Sequence, residues 1–551
     1  MNARIPRTRP SLPQAHGARQ GAESPADGRS AGNADAARMA HGRRARAMHG
    51  SPRLALGLVL AALAACRTVG PDYRLPADAA ANRAAAQAPF LATGNPQVAA
   101  DEALPERWWS LYDDPVLDAL VERALAANAG LKAASANLER ATAAYQQARD
   151  AGGLDYAAEA GVQRAQVSAE SFLLDEKLPV FNLGSGRLEV SYDVDLFGKL
   201  RRASEAAHAD AQATAAALDL ARIGVAAQVA GNYLDICNAN HALAVARHAV
   251  ELQQHGQSVA ERLQAAGRGT AVDVTRARAQ VAALQAALPP LQARRRAAEF
   301  SLSALLGEVP GQLPDGVDGC ARAPQPGRPI PVGDGRALLA RRPDVRAAER
   351  QLAAATARIG VATAALYPDI RLGASAGAAG LLEDVGTPAT RQWAIGPLIS
   401  WSVPGPGAHA RVAASEAGAK AALAHFDQTV LDALRETQTV LDAYAQDLQR
   451  LQALRDARDA ARQAADENRR LYQGGRVPYL ASLDAERGEA GSDAQVAAAE
   501  AQISQDQVRL FLALGGGWQA AASHVGDRPG DDAAGRTTGH RATGSGAQAP
   551  R

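Results

Sequence analysis

Arg187-Leu188-Glu189-Val190-Ser191-Tyr192-Asp193-Val194-Asp195-Leu196-Phe197-Gly198-Lys199-Leu200 changes its period halfway along. Leu188, Val190, Tyr192, Val194 and Leu196 alternate with Arg187, Glu189, Ser191, Asp193 and Asp195, the pattern of a strand with one apolar and one mostly charged face. From Leu200 to about Ala265 there is no proline and helix formers follow one another, which predicts a helix of about 100 Å at 1.5 Å per residue. Segments of similar length at 156–167, 369–378 and 392–403 read as further strands, with Ile370, Leu372 and Ala374 alternating likewise. A second proline-free run from about Ala408 to Tyr472 repeats the long helix, and Leu431, Leu434, Val440 and Leu441 suggest a seam of heptad character along it.

Strands of ~9–11 residues with alternating faces fit a transmembrane β-structure. Four strands cannot close a barrel, and lipid does not tolerate an open sheet edge, so strands that span a membrane must be completed by other copies of the chain. The other reading is a small soluble sheet beneath the helices, whose charged face is simply solvated.

The pattern occurs twice. Leu125, Leu131, Ala133, Ala134, Leu138, Ala141 and Thr142 match Leu339, Val345, Ala347, Ala348, Leu352, Ala355 and Thr356 at one constant spacing. Arg262-Leu263, Gly267-Arg268 and Ala277 recur as Arg470-Leu471, Gly475-Arg476 and Ala485 at a slightly shorter one. The expected organisation is a first unit at 106–314 with strands near 155–168 and 185–197, a Pro/Gly-rich linker at 315–335, and a second unit at 336–518 with strands near 369–380 and 391–403.

Ahead of these units, Arg53 precedes an apolar run from Leu54 to Ala65, long enough for a signal-peptide core and too short to span a bilayer. It ends in Leu63-Ala64-Ala65-Cys66, a lipobox-like sequence that makes Cys66 the expected lipidation site. Residues 48–65 then form the signal and 66–105 the lipidated N-terminal segment. Met48 is the expected translation start, with 1–47 a non-native or disordered extension and 519–551 a disordered tail.

Composition excludes several classes of function. Only 4% of the chain is aromatic, and Ala dominates a 47% hydrophobic fraction, which suits close-packed helical hairpins. A net charge of +1 with interleaved signs gives no footprint for nucleic acid. Cys66, Cys237 and Cys320 form no CxxC pair and lack metal-ligand spacing, which argues against a disulfide framework or a zinc site. The 11 His residues are scattered, with no phosphate loop and no local catalytic signature, so neither an enzyme nor a cofactor is expected. A pore-free coiled-coil scaffold is the stronger rival.

Several motifs in order resemble the outer-membrane factors of tripartite efflux systems, the TolC-like and NodT-type lipoproteins. Val69-Gly70-Pro71-Asp72-Tyr73 follows the cysteine, and Trp108-Trp109 with Asp114-Pro115 opens the first helices. Ser191 to Leu200 looks like the family's strand-to-helix signature, Arg341-Arg342-Pro343-Asp344-Val345-Arg346-Ala347-Ala348-Glu349 like its second-repeat start, and Leu514-Gly515-Gly516-Gly517-Trp518 like its ending. The resemblance implies a mixed α/β membrane protein with two internal repeats. As a homotrimer, its four strands per chain would make a twelve-stranded barrel, continued by a long α-helical coiled-coil barrel through the periplasm. It implies drug or small-molecule efflux as the task, with protein secretion the second choice. The implied partners are outer-membrane lipid, a periplasmic adaptor protein and an inner-membrane RND transporter. It also implies a periplasmic gate at Tyr472, Leu480, Asp484 and Arg487, and makes Gly267, Asp273, Arg276 and Gly475 candidate adaptor-contact tips. Leu480, Asp484 and Arg487 lie four and three residues apart and share a helix face. An exposed intrahelical Asp484–Arg487 pair is the alternative reading of those charges.

Overall fold

The computed structural model describes residues 68–516 apart from 92, 93, 95, 100, 101, 103, 167 and 174. Cys66, the signal segment, the extension with Met48, Trp518 and the tail lie outside the described residues.

A two-residue strand, β1 (Val98–Ala99), precedes helices α1 (Pro115–Ala127) and α2 (Ala129–Asp150). The Asp114 carboxylate starts α1 by accepting from the Val116 and Leu117 N–H groups at 2.8 and 3.1 Å, and Pro115 occupies a first-turn position where it loses no bond. Strands β2 (Leu154–Gln166) and β3 (Val180–Val194) come next. Helix α3 (Lys199–Ala265, 67 residues) follows, then α4 (Ala271–Gln285) and α5 (Leu288–Leu305). The second series runs β4 (Ile330–Pro331), α6 (Gly335–Arg341), α7 (Pro343–Ala364), β5 (Asp369–Leu381), β6 (Arg391–Ser400), α8 (Pro406–Gln473, 68 residues) and α9 (Tyr479–Ala513). At 1.5 Å per residue α3 and α8 are each about 100 Å long.

The four long strands form one antiparallel sheet in the order β2-β3-β5-β6, so β2 and β6 are its edges. The register sorts the side chains cleanly. Tyr156, Val190 and Ala374 lie in one cross-strand row, with Ile395 next along it, and Ala158, Leu188, Ala376 and Trp393 form the following row. The opposite face carries Glu159, Arg187, Glu189 and Ser375. Trp393 and Ile395 are 79% and 76% exposed, so the apolar face has no cover among the described residues. The apolar alternation stops at Val194. Leu196 therefore drops out of the expected strand face, and the Asp195 carboxylate caps α3 instead, accepting from the Leu200 and Arg201 N–H groups at 3.0 and 2.8 Å.

One cluster of aromatic residues lies midway along the helices. Trp108 stacks on Phe511 of α9 at 4.4 Å and meets Trp109 edge-on at 5.9 Å, while Tyr112 lies 6.2 Å from Phe511. This core takes in Leu234 and Ile236 of α3 and Leu441 and Tyr444 of α8. From Phe426 to Leu451 the buried positions of α8 are Phe426, Val430, Ala433, Thr437, Leu441, Tyr444 and Leu451, a three–four spacing that is the seam. Leu431, expected on that seam, is turned outward and exposed. An apolar residue in an Ala-rich helix marks a contact only when its phase agrees with its neighbours, and that of Leu431 does not.

The linker is tied to this core. Val98–Ala99 pairs in parallel with Ile330–Pro331, and Cys237 in the middle of α3 is joined to Cys320 by a disulfide. The expectation against disulfides is thereby corrected: two cysteines separated by 83 residues leave no local spacing to read, and only the return of the linker onto α3 brings them together. Beside the bridge, Asn240 donates to the Cys320 carbonyl at 2.9 Å. Arg322 and Arg455 bind Glu500 of α9. Burial raises the pKa of this carboxyl, and the two guanidinium groups more than offset that.

Closing a loop of this length by a disulfide is worth about 4 kcal/mol. Cys237→Ala/Cys320→Ser should therefore melt well below the parent in detergent, and adding reductant should narrow the gap by lowering the parent alone. A second outcome follows from Asp506 of α9, which is 2% exposed. Burial and the facing Asp447 push its carboxyl up to about 6, against a partner bond from Gln502 and an Arg509 nitrogen 3.7 Å away. The folded state thus holds this proton more tightly than the unfolded chain, whose Asp titrates near ~3.9. Stability falls as pH rises between those values, and the cost is complete above the higher one. Asp506→Asn should raise the melting temperature at pH 8 and change it little at pH 4, measured by thermal melts across that range.

Candidate functional site

Two helix reversals lie at the end of the helical pairs away from the sheet, between α3 and α4 and between α8 and α9. They share one hydrogen-bond pattern. In the first, Gly267 N–H donates to the Gln264 carbonyl at 2.9 Å and Arg268 N–H to that of Leu263 at 2.8 Å. In the second, Gly475 N–H donates to Tyr472 at 2.9 Å and Arg476 N–H to Leu471 at 2.8 Å. This is the Schellman arrangement, which needs a left-handed residue, and Gly267 and Gly475 supply it at φ of 65° and 64°. The interruptions are short: Val274 and Tyr479 already belong to α4 and α9.

After the first turn Thr270 and Asp273 form a capping box, with Asp273 N–H donating to Thr270 Oγ1 at 3.3 Å and Thr270 N–H to the Asp273 carboxylate at 3.1 Å. The Thr270 hydroxyl and backbone N–H hold the Asp273 carboxyl below its ordinary value. Asp273 is therefore already engaged within its own turn. The second turn has Pro478 before α9 and no side-chain cap.

The two reversals face each other across a groove of about 340 Å³. Asp273 and Arg276 from the first, and Leu480, Asp484 and Arg487 from the second, all line it. Tyr472 stands beside this groove with its ring 5.2 Å from that of Tyr479, edge to face. Burial raises the Tyr479 hydroxyl above its usual range. Arg487 pairs with Asp484 on its own helix at 3.2 Å and donates to Gln253 of α3 at 2.9 Å. Asp484 is 73% exposed, so within one chain the pair has the character of a solvated intrahelical contact, and the tie to α3 comes from Arg487.

Three contributors escaped sequence reasoning. Gln253 is almost fully buried in the middle of a polar stretch. A Cβ at Gly256 would come within 2.8 Å of Leu483, so this glycine lets α9 lie close against α3. Behind the groove Arg469 joins Asp466 at 2.7 Å to Glu486 at 3.3 Å. The i, i+3 member of that set is visible in the sequence, whereas the contacts between helices have no local signature.

The family described as outer membrane efflux protein matches residues 120–308 and 335–516. Nodulation protein T of Rhizobium leguminosarum bv. viciae is 29% identical over 481 residues, covering 86% of this chain and 95% of that protein. A probable outer membrane lipoprotein, SilC of Salmonella typhimurium, is 26% identical over 473 residues, covering 83% and 96%. Among solved structures, the outer-membrane channel OprN superposes with a TM-score of 0.74 at 33% identity, covering 82% of this chain and all of that one.

A Cβ at Gly267 or Gly475 would meet no atom within 4 Å, so alanine there costs only backbone strain, about 1 kcal/mol. Gly475→Ala should speed amide hydrogen exchange in residues 470–480 severalfold and leave exchange in the aromatic core unchanged.

Proposed function

The chain belongs to the outer membrane efflux protein family, and on that basis we propose that it is the outer-membrane channel of a tripartite efflux pump, passively conducting drugs or other small toxic compounds. The observation that carries this reading is the four-stranded sheet, with one exposed apolar face, one polar face and two unpaired edges, running directly into helices about 100 Å long. An open sheet has no stable place in lipid, and three copies joined edge to edge would make a closed twelve-stranded barrel whose apolar faces meet the membrane and whose Arg187, Glu189 and Glu159 face the lumen. Where the strands meet the helices, Phe197 stacks on Tyr367 at 4.5 Å and Trp401 Nε1 donates to the Leu366 carbonyl at 3.1 Å. Aromatic groups of this kind favour the membrane–water interface. The doubled order of helix pair, strand pair and long helix supports an internal duplication, which would give the helical barrel its quasi-repeated staves.

Cys66 would carry the lipid anchor, as the lipobox-like sequence suggests and as the likeness to an outer membrane lipoprotein supports. The helix reversals would form the periplasmic end, where rings of Leu480, Asp484 and Arg487 narrow the duct and where an adaptor protein, joined to an inner-membrane RND transporter, would engage. The Arg487–Gln253 bond between α9 and α3 is the contact that an opening movement must break.

Arg487→Ala removes that tie and Asp484→Ala its partner. Each is expected to raise single-channel conductance severalfold in planar bilayers while the protein still migrates as a heat-resistant trimer. Unchanged conductance in both variants would refute the gate, and a monomer that conducts nothing would refute the duct.

A further inference from the structure

The first described residues do not trail away from the body. Val69 N–H donates to the Phe197 carbonyl at 3.1 Å, at the point where β3 gives way to α3. Arg202, 4% exposed on the first turn of α3, then grips the passing chain: Nε donates to the Val69 carbonyl at 3.2 Å, and Nη2 to the Gly70 carbonyl at 3.2 Å and to Asp72 Oδ1 at 2.7 Å. Its remaining nitrogen donates to Glu205 at 2.7 Å, which fixes the guanidinium on its own helix. Three glycines make room for the crossing. A Cβ at Gly70, whose φ is +86°, would collide with the Gly360 backbone of α7; one at Gly360 would press on Arg202 Cγ at 2.7 Å; and one at Gly198 would collide with Thr68. Beyond the crossing, the Tyr73 hydroxyl donates to Glu349 at 3.2 Å under the Arg350 guanidinium. Farther on, Ala80 N–H donates to Asp427 of α8 at 2.7 Å.

A surface-exposed leader has no need of a buried arginine spending three bonds on it, nor of three glycines at its crossing. We propose that Arg202, with Gly70, Gly198 and Gly360, is a seat that fixes the lipid tether, so that the acyl chains on Cys66 enter the membrane beside the foot of the sheet and not at the end of a slack leader. Two peptide units separate Cys66 from Thr68, a reach of at most about 7 Å. With Thr68 held against Gly198, the anchor is confined to the level where sheet becomes helix, next to Phe197, Tyr367 and Trp401. Arg202 is thus a positioning residue for the anchor, acting through the backbone of 69–72. The inference rests on the reading of Cys66 as the acylated residue.

The test is limited chymotrypsin digestion of the membrane-extracted protein, read by mass spectrometry of the peptide ending at Tyr73. Gly70→Ala and Asp72→Asn alter only the tether, and Arg202→Ala alters the seat. All three should release that peptide at least about tenfold faster than the parent, because release requires the segment to open locally, while the melting temperatures of the two tether variants stay unchanged. A second readout is position. Nitroxides at Arg74→Cys and Arg201→Cys should give a narrow distance distribution in the parent and a broad one with Gly70→Ala, while a pair at Arg201→Cys and Arg358→Cys stays narrow in both. Equal release rates and equal distributions, with the peptide carrying its acyl mass, would overturn the seat and leave the anchor standing. A peptide without acyl mass in the parent would overturn the anchor itself, and the seat's purpose with it.

Discussion

A strand edge in hydrocarbon has no water to bond to, and each unpaired backbone group there costs several kcal/mol. Among the described residues the sheet has two open edges, on β2 and β6, and a third exposed surface in its apolar face. Everything else in the molecule can be read from that constraint. Lipid satisfies the apolar face, and neighbouring copies satisfy the edges on the proposed reading. Once the strands are placed in a ring, the helices that leave them through Asp195 and Gly198 must form a ring too.

The helices are built for this arrangement. An Ala-rich helix buries little area per residue, so pairs of such helices gain stability from length and closeness, not from bulk. The buried positions of α8 form a single stripe, leaving most of its surface without a partner among the described residues. The largest buried side chains concentrate in the aromatic cluster around Trp108 and Phe511, where the linker, the first helices and α9 converge. The disulfide and the Glu500 pair lie at that same level. The molecule is thus stapled at its middle and lightly held at its tips, a distribution that suits the gated duct proposed above. Energetically, the groove between the reversals is a set of exposed pairs and one bond to Gln253, each worth little alone.

The two ends of the sheet–helix junction serve different tasks with the same means. Asp195 caps the helix that the strand feeds, and one turn later Arg202 takes hold of the N-terminal segment. Gly198, which the turn requires at φ of 78°, also admits Thr68. A single short motif therefore fixes where the strand ends, where the helix starts and where the N-terminal segment crosses.

The sequence by itself determined the elements. Period-two alternation around Leu188 to Val194 and proline-free helix formers over residues 200–265 and 408–472 are local signals, and local signals survive in one dimension. The repeated Gly-Arg of the reversals was legible for the same reason, since only glycine takes a left-handed φ cheaply. Of the candidate site, the shared face of Leu480, Asp484 and Arg487 could be read from spacing, but its facing wall could not. The outward turn of Leu431, the joining of Cys237 to Cys320, the grip of Arg202 on residues 69–72 and the meeting of Arg487 with Gln253 were decided only by the tertiary structure. Each depends on which helix lies beside which, and in helices made largely of alanine that choice is set by small differences in phase and by residues far apart in the chain.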